Sequence, residues 1–140
     1  MDRPEHGINN VKVNARGSDV IVGAIPPVLK WAGGKRWLIT RYPELIPPDY
    51  NRYYEPFVGG GAVFFALSPD AGQISDSNPE LINVYKAIKK DPAAVFKLLR
   101  RHAENHNSRY YYDVRAARPA NEIDKAARTL YLNRTCWNGL

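Results

Sequence analysis

The chain has 140 residues and a formal net charge of +6, from 20 Lys and Arg against 14 Asp and Glu. This length suits about one domain, and a composition of 44% hydrophobic and 24% charged residues is ordinary for a globular protein. No stretch approaches the roughly 20 consecutive apolar residues of a membrane span, and the first residues lack the order of a signal peptide, so we expect a cytoplasmic protein. The positive charge is compatible with nucleic acid binding but does not decide for it.

Residues 1–27 mix glycine and polar residues without helical periodicity, and we expect a mostly flexible N-terminal tail that ends at Pro26-Pro27. Its one apolar cluster, Val20-Ile21-Val22, is compatible with a short strand. From residue 28 the pattern changes. A glycine turn between two lysines, Lys30-Trp31-Ala32-Gly33-Gly34-Lys35, leads into a short predicted helix over residues 36–41.

Two strand candidates follow. The aromatic stretch 52–58 predicts a strand that runs into Gly59-Gly60-Gly61, and residues 62–67 predict a helix that ends at Ser68-Pro69. Residues 72–76 predict the second strand. Asn78 is then a good N-cap for another helix, because proline follows at the first helical position and glutamate lies near the positive end of the dipole.

The rest of the chain predicts further helices over residues 92–103, from a Ser108 cap through residue 118, and over residues 122–134. The order strand, glycine loop, helix, strand, helix is the opening of an α/β fold with a parallel sheet. We divide the chain into the tail at 1–27, a ligand-binding lobe at 28–90 and a helical segment at 91–140.

Cysteine and histidine give no sign of a metal site. Cys136 is the one cysteine in the sequence, which excludes an intrachain disulfide, and we interpret it as a packing residue. His102 and His106 are four positions apart on a predicted helix, but no third ligand stands near them, so we predict no metal.

The stretch Glu55-Pro56-Phe57-Val58-Gly59-Gly60-Gly61 is the first that carries chemistry. A strand that ends in glycines and turns into a helix lets the backbone approach a ligand closely. It is not a phosphate-binding P-loop, because no Gly-Lys-Ser/Thr follows. Glycines alone are a weak signal.

Asp76 ends the next predicted strand, 21 residues beyond Glu55. An acid at about this distance can accept hydrogen bonds from two ribose hydroxyls. Alternatively, Asp76 only makes the turn before the Asn78 cap. With the glycine loop beside it in sequence, we favour a nucleoside ligand, and dinucleotides remain open at this point.

Three motifs in order resemble the Dam-like class of S-adenosylmethionine-dependent DNA adenine methyltransferases. They are Lys30–Lys35, Glu55–Gly61 and the closing Tyr131-Leu132-Asn133-Arg134-Thr135-Cys136-Trp137-Asn138-Gly139-Leu140. The resemblance covers residues 28–140. It implies a Rossmann-like fold, with 28–90 as the S-adenosylmethionine-binding lobe and 91–140 as the opening of the target-recognition region.

The resemblance also implies roles for single residues. Trp31 and Lys35 would line the cofactor pocket, the loop from Phe57 through Gly59 to Gly61 would wrap the methionine portion, and Asp76 would hold the ribose. Glu55 is a less secure member of this set. An aromatic face suits an adenine or a sulfonium cation, and an ammonium group suits the cofactor carboxylate. The alternatives are a half-buried core tryptophan and a merely solvated lysine.

Double-stranded DNA is the partner that the resemblance implies. A base that is methylated must leave the stack, which costs about a few kcal/mol. Trp137 could stack between bases and Asn138 could bind a base edge, and Lys30 matches a lysine that reaches DNA. The alternative for Trp137 is a buried side chain before a turn.

The catalytic motif of this class, Asp/Asn-Pro-Pro-Tyr/Phe, does not occur in the sequence, since both Pro-Pro pairs follow isoleucine. We therefore assign no catalytic residue, expect the motif after Leu140, and expect an incomplete sheet and weak or no methylation by these residues alone. An inactive nucleic-acid-binding remnant or regulator of the same fold is the alternative function. A dinucleotide oxidoreductase would instead prefer NAD.

Overall fold

The computed structural model describes residues 11–13, 19–21, 25–46 and 50–137. The chain forms two compact units, one of Met1–Pro27 with Gly33–Ile74 and one of Val28–Ala32 with Ser75–Leu140. We call them the first and the second unit. The functional division at residues 27 and 90 is of a different kind and stays a prediction.

The first unit contains two pairs of short strands. Strands β1 (Val11–Val13) and β2 (Asp19–Ile21) pair antiparallel, so the predicted tail holds a second strand that the sequence pattern did not indicate. Strands β3 (Tyr53–Glu55) and β4 (Gly72–Ile74) pair parallel, which confirms the predicted parallel arrangement.

Strands β3 and β4 are shorter than the sequence predicted, and each ends for a local reason. Pro56 follows β3 directly and has no amide to donate to a ladder. After β4, the side chain of Asp76 accepts a hydrogen bond from the Asn78 amide at 3.0 Å, so the backbone is already turning toward the next helix.

Gly72 allows β3 and β4 to approach at Tyr53, its partner in the register. A Cβ atom at position 72 would lie 2.9 Å from the carbonyl oxygen of Tyr53 and 3.0 Å from its Cβ atom. Real Cβ atoms are not found that close to a backbone oxygen, so this pairing depends on glycine.

Two short helices complete the first unit. Helix α1 (Arg36–Arg41) and helix α2 (Ala62–Leu67) have the predicted bounds and contact each other, and a 3-10 turn (Pro43–Leu45) follows α1. Helix α2 ends at Ser68, whose φ of 44° is left-handed, and Pro69 then prevents continuation.

The second unit is helical, with α3 (Pro79–Lys90), α4 (Pro92–Glu104), α5 (Ser108–Ala116) and α6 (Glu122–Thr135). Helix α6 contacts the other three. Its apolar side chains supply much of the core, where the buried hydrophobic residues are Leu29, Leu81, Val84, Ala87, Val95, Val114, Ala126, Ala127, Leu130 and Tyr131.

Each of these helices begins at a short polar side chain that accepts backbone hydrogen bonds. Asn78 accepts from the amides of Glu80 and Leu81, as predicted. The predicted cap of α5 is wrong: Asn107, not Ser108, accepts from the amide of Tyr110 at 3.0 Å. The side chain of Asn107 reaches the amide three residues later, so Asn107 is the N-cap and Ser108 is the first helical residue.

Three hydrogen bonds join α6 to residues 28–32, which belong to the same unit. The side chain of Asn133, only 5% exposed, accepts from the backbone amide of Lys30 at 2.8 Å and donates to the Lys30 carbonyl at 2.8 Å. Arg134 donates to the carbonyl of Val28 at 2.9 Å. Within the second unit, these hydrogen bonds hold the backbone at Val28 and Lys30 against the end of α6.

Histidine and tyrosine side chains form a cluster where α4, α5 and α6 meet. His102 is buried, shares a 2.8 Å hydrogen bond with the Tyr110 hydroxyl and stacks on Tyr131 with ring centroids 4.8 Å apart. His106 shares a 2.8 Å hydrogen bond with the Tyr131 hydroxyl. Both imidazoles thus have protein partners, and burial raises the pKa of Tyr131.

None of the helices in the described ranges is long and apolar enough to span a membrane.

Substituting Asn133 with alanine tests the two hydrogen bonds to the backbone of Lys30. The variant leaves a part-buried amide and carbonyl without their partner, so we expect the free energy of unfolding to fall by about 2–3 kcal/mol. Asn105 is a matched control, because its exposed side chain makes a local bond to the carbonyl of Arg101, and Asn105→Ala should cost less than about 0.5 kcal/mol. Urea denaturation measures both. Equal decreases in the free energy of unfolding for the two variants would contradict a stabilising role of Asn133.

The environment of His102 predicts a pH dependence of stability. Burial is the main cause that lowers the pKa of His102, the charge of Arg101 adds to it, and Asp124 opposes it. His102 therefore binds a proton more readily in the unfolded chain than in the folded one. Its contribution to the free energy of unfolding is complete above the ordinary pKa of histidine and is lost as pH falls through the pKa of the folded state.

We expect the free energy of unfolding to decrease as pH falls below about 6.5. His102→Gln, which does not titrate, should flatten that decrease. Urea denaturation from about pH 8 down to about pH 5.5 avoids most carboxylate titration. An unchanged slope in the variant would assign the pH dependence to other groups.

Candidate functional site

The glycine loop, residues 57–61, leaves strand β3 and enters helix α2 in one tight turn. Val58 anchors it with 1% exposure, and the amide of Gly61 donates to the Val58 carbonyl at 2.9 Å. Gly59 and Gly61 have φ values of 50° and 75°, which are left-handed and disfavour any other residue. The side chain of Phe57 is 72% exposed. The loop therefore places buried backbone without side chains directly after a strand.

A buried carboxylate lies at the start of this loop. Glu55 is 7% exposed, and its Oε1 lies 3.1 Å from the ammonium nitrogen of Lys35. Its Oε2 accepts a 2.6 Å hydrogen bond from the Tyr53 hydroxyl. Lys35 also donates to the carbonyl oxygen of Phe57. A buried charge needs such partners. Through them, Glu55 connects strand β3 with Lys35, and Lys35 connects with the glycine loop.

Tyr53 is a site residue that the sequence analysis missed. Burial raises the pKa of Tyr53 far above its usual range, and the hydrogen bond to Glu55 and the charge of Glu55 raise it further. The phenol is therefore a hydrogen-bond donor at any physiological pH. The available signal was spacing: residues two apart on a strand lie on the same face, and Tyr53 stands two before Glu55.

The structure brings together the predicted residues Lys35, Glu55 and Phe57 through direct contacts, next to Gly59 and Gly61. The alternative of a merely solvated Lys35 is wrong, because its ammonium group is paired. A contact of Lys35 with a cofactor stays a prediction.

Asp76 and Trp31 belong to the second unit. Asp76 is half-buried, and its Oδ1 accepts from the Asn78 amide at 3.0 Å. That is the turn interaction that we considered as the alternative. Trp31 is half-buried and directly follows Lys30, whose backbone is fixed by Asn133. Ribose and adenine roles for the two residues stay predictions.

The residues predicted to bind DNA are exposed where the structure describes them. Lys30 is exposed, and Trp137 is 87% exposed. The alternative of a buried Trp137 is therefore wrong. Asn138 lies outside the described residues.

Asn133 is a second residue that the sequence analysis did not single out. It lies in the closing motif, and through Lys30 it contacts the opening one. The signal was an amide on the apolar face of α6 between Leu130 and the helix end. A polar side chain in such a place is usually hydrogen-bonded to something specific.

A cavity of about 510 Å³ lies in the second unit between α3, α6 and the segment after α5. None of the predicted site residues lines it. In the part of the chain that the structure describes, no three His, Cys, Asp or Glu side chains are grouped so that they could hold a metal ion.

Comparison with known proteins identifies relatives of this chain. The profile of the family described as D12 class N6 adenine-specific DNA methyltransferase matches residues 31–140. A type II methyltransferase of Lactococcus lactis subsp. cremoris, M1.LlaDCHI, is 42% identical over 120 residues, covering 81% of this chain and 42% of that protein.

Two further relatives are also named as DNA adenine methyltransferases. A DNA adenine methylase of Vibrio cholerae is 36% identical over 118 residues, covering 80% of this chain and 42% of that protein. The DNA N-6-adenine-methyltransferase of Escherichia phage P1 is 36% identical over 117 residues, covering 81% and 15%. The chain thus spans less than half the length of these curated relatives. By the match over residues 31–140, it belongs to the D12 class N6 adenine-specific DNA methyltransferase family.

Proposed function

We propose that the protein acts in the transfer of a methyl group from S-adenosylmethionine to the exocyclic amine of adenine in double-stranded DNA. The family match over residues 31–140 carries this proposal. The names of the relatives support it, since they describe DNA adenine methylases and type II methyltransferases. The corresponding fold would be Rossmann-like, of which the parallel pair β3 and β4 would be a part.

The first unit fits the methionine portion of such a cofactor. Gly59 and Gly61 have left-handed φ values and no side chain that would obstruct a ligand. Their backbone is buried, and the exposed part of the loop is Phe57. The ammonium group of Lys35 is suited to a carboxylate, and its side chain is 34% exposed. Bound S-adenosylmethionine would supply the activated methyl group. The chain's residues would bind and orient it.

In the second unit we propose Asp76 as the acceptor for ribose hydroxyls and Trp31 as the aromatic contact of the adenosyl or sulfonium group. A carboxylate can accept from two neighbouring hydroxyls, and an indole face attracts a cation. Both side chains are half-buried rather than fully enclosed.

For DNA we propose Lys30, Trp137 and Asn138. The exposure of Lys30 supports a contact with phosphate, and that of Trp137 supports stacking on bases that are left when the target adenine leaves the helix. Asn138 would bind a base edge. The Asp/Asn-Pro-Pro-Tyr/Phe motif is not in the sequence, so we propose that these residues supply binding and that no methyl transfer occurs without that motif.

Calorimetric titration of the chain tests the cofactor. We expect S-adenosylmethionine to bind and NAD to bind more weakly or not at all. In Asp76→Asn, the amide oxygen can still accept from the Asn78 amide, so the turn is kept while the charge is lost. The affinity for S-adenosylmethionine should fall about tenfold or more, since hydrogen bonds to charged groups are the stronger ones.

Asp113→Ala is the matched control, because Asp113 is an exposed acid on α5, and it should bind like the unchanged chain. Thermal midpoints of both variants show whether folding is affected. Tighter binding of NAD than of S-adenosylmethionine would refute the proposed cofactor, and equal affinity of Asp76→Asn and the unchanged chain would refute the role of Asp76.

A further inference from the structure

We propose that Tyr53 is a positioning residue for the cofactor loop. Its hydroxyl would orient the carboxylate of Glu55, which fixes the Lys35 ammonium group against the carbonyl of Phe57. This inference deepens the proposed function and rests on it, because it takes the glycine loop as the place where the cofactor binds.

The contacts form an unbroken chain from strand β3 to the loop. The Tyr53 hydroxyl donates to Oε2 of Glu55 at 2.6 Å, and Oε1 of the same carboxylate lies 3.1 Å from Lys35. Lys35 then donates to the backbone of Phe57, the first loop residue. The two oxygens of Glu55 have different partners: Oε2 accepts a hydrogen bond from the phenol, and Oε1 forms an ion pair with the ammonium group. The hydrogen bond therefore restricts the rotation of the carboxylate that pairs with Lys35.

Tyr53 is suited to this task because it cannot move far itself. Its backbone amide donates to the Ala71 carbonyl at 3.1 Å, and its register partner is Gly72, where the strands approach closely. Its ring packs against Phe64 of α2 with centroids 6.2 Å apart. The hydroxyl therefore stands at a fixed place relative to Glu55.

Within the loop, the bond from the Gly61 amide to the Val58 carbonyl closes the turn, and Val58 is buried. Gly59 and Gly61 have no side chains with which to pack. Glycine-rich backbone is entropically costly to fix. The hydrogen bond from Lys35 to the loop's first carbonyl adds a restraint from outside the loop, and Tyr53 and Glu55 set the direction of that bond.

The test is a double-mutant cycle with Tyr53→Phe, Glu55→Gln and both together. Tyr54→Phe is the matched control, because Tyr54 is the neighbouring residue of the same strand and is 62% exposed. Two quantities are measured in each variant: the affinity for S-adenosylmethionine by calorimetry, and the hydrogen exchange rate of the Gly61 amide by NMR. Thermal midpoints account for loss of stability.

We expect Tyr53→Phe to weaken binding and to speed Gly61 exchange, each roughly tenfold, since a hydrogen bond to a charged group is lost. Tyr54→Phe should stay within about twofold for both. In the Glu55→Gln background, Tyr53→Phe should change neither quantity by more than about twofold, because its effect passes through the carboxylate.

Two results would overturn the inference. One is Tyr53→Phe behaving like Tyr54→Phe, and the other is a double variant whose effect is the product of the two single effects, as for an independent packing role. If the unchanged chain takes up no S-adenosylmethionine, the proposed function is refuted. The cycle in Gly61 exchange then still decides whether Tyr53 positions the loop.

Discussion

The first unit depends on the pairing of one buried charge. The carboxylate of Glu55 is 7% exposed, and a charge removed from water without partners would remain neutral or prevent folding. One partner, Tyr53, lies on the same strand, and the other, Lys35, lies directly before α1; both are held by backbone contacts of their own. Satisfying this carboxylate therefore fixes how the end of β3, the Lys35 turn and the glycine loop meet.

In the second unit, too, a buried polar side chain determines how segments meet, but this side chain is neutral. Asn133 lies on a helix that is otherwise packed with apolar side chains, and it satisfies both its donor and its acceptor on the backbone of Lys30. Backbone groups that leave regular structure need partners as much as side chains do. A side-chain amide offers both a donor and an acceptor, so it can fix the backbone of a single residue. A hydrophobic contact lacks this directional precision.

Sequence reasoning predicted what depends on near neighbours. The bounds of α1 and α2, the Asn78 cap and the parallel pairing of β3 with β4 follow from local residues and from chain order, and the structure has them. It missed the contact of Asn133 with Lys30, because these residues are 103 positions apart and nothing local indicates that they meet. It also missed two short-range features, strand β1 and the hydrogen bond of Tyr53 to Glu55 two positions later. The cap of α5 failed for a smaller reason, because two adjacent side chains could both cap and only geometry decides between them.

The contacts of Lys35 are compatible with the cofactor role that we propose for it. A lysine that is paired with an internal carboxylate could be thought lost to a ligand, because breaking a buried pair is costly. An ammonium group, however, has three donors, and the contacts with Glu55 and with the Phe57 carbonyl take two directions. With 34% of its side chain exposed, Lys35 is accessible to the cofactor carboxylate that we propose it binds. Under that proposal, Glu55 orients the ammonium group instead of competing with the ligand for it.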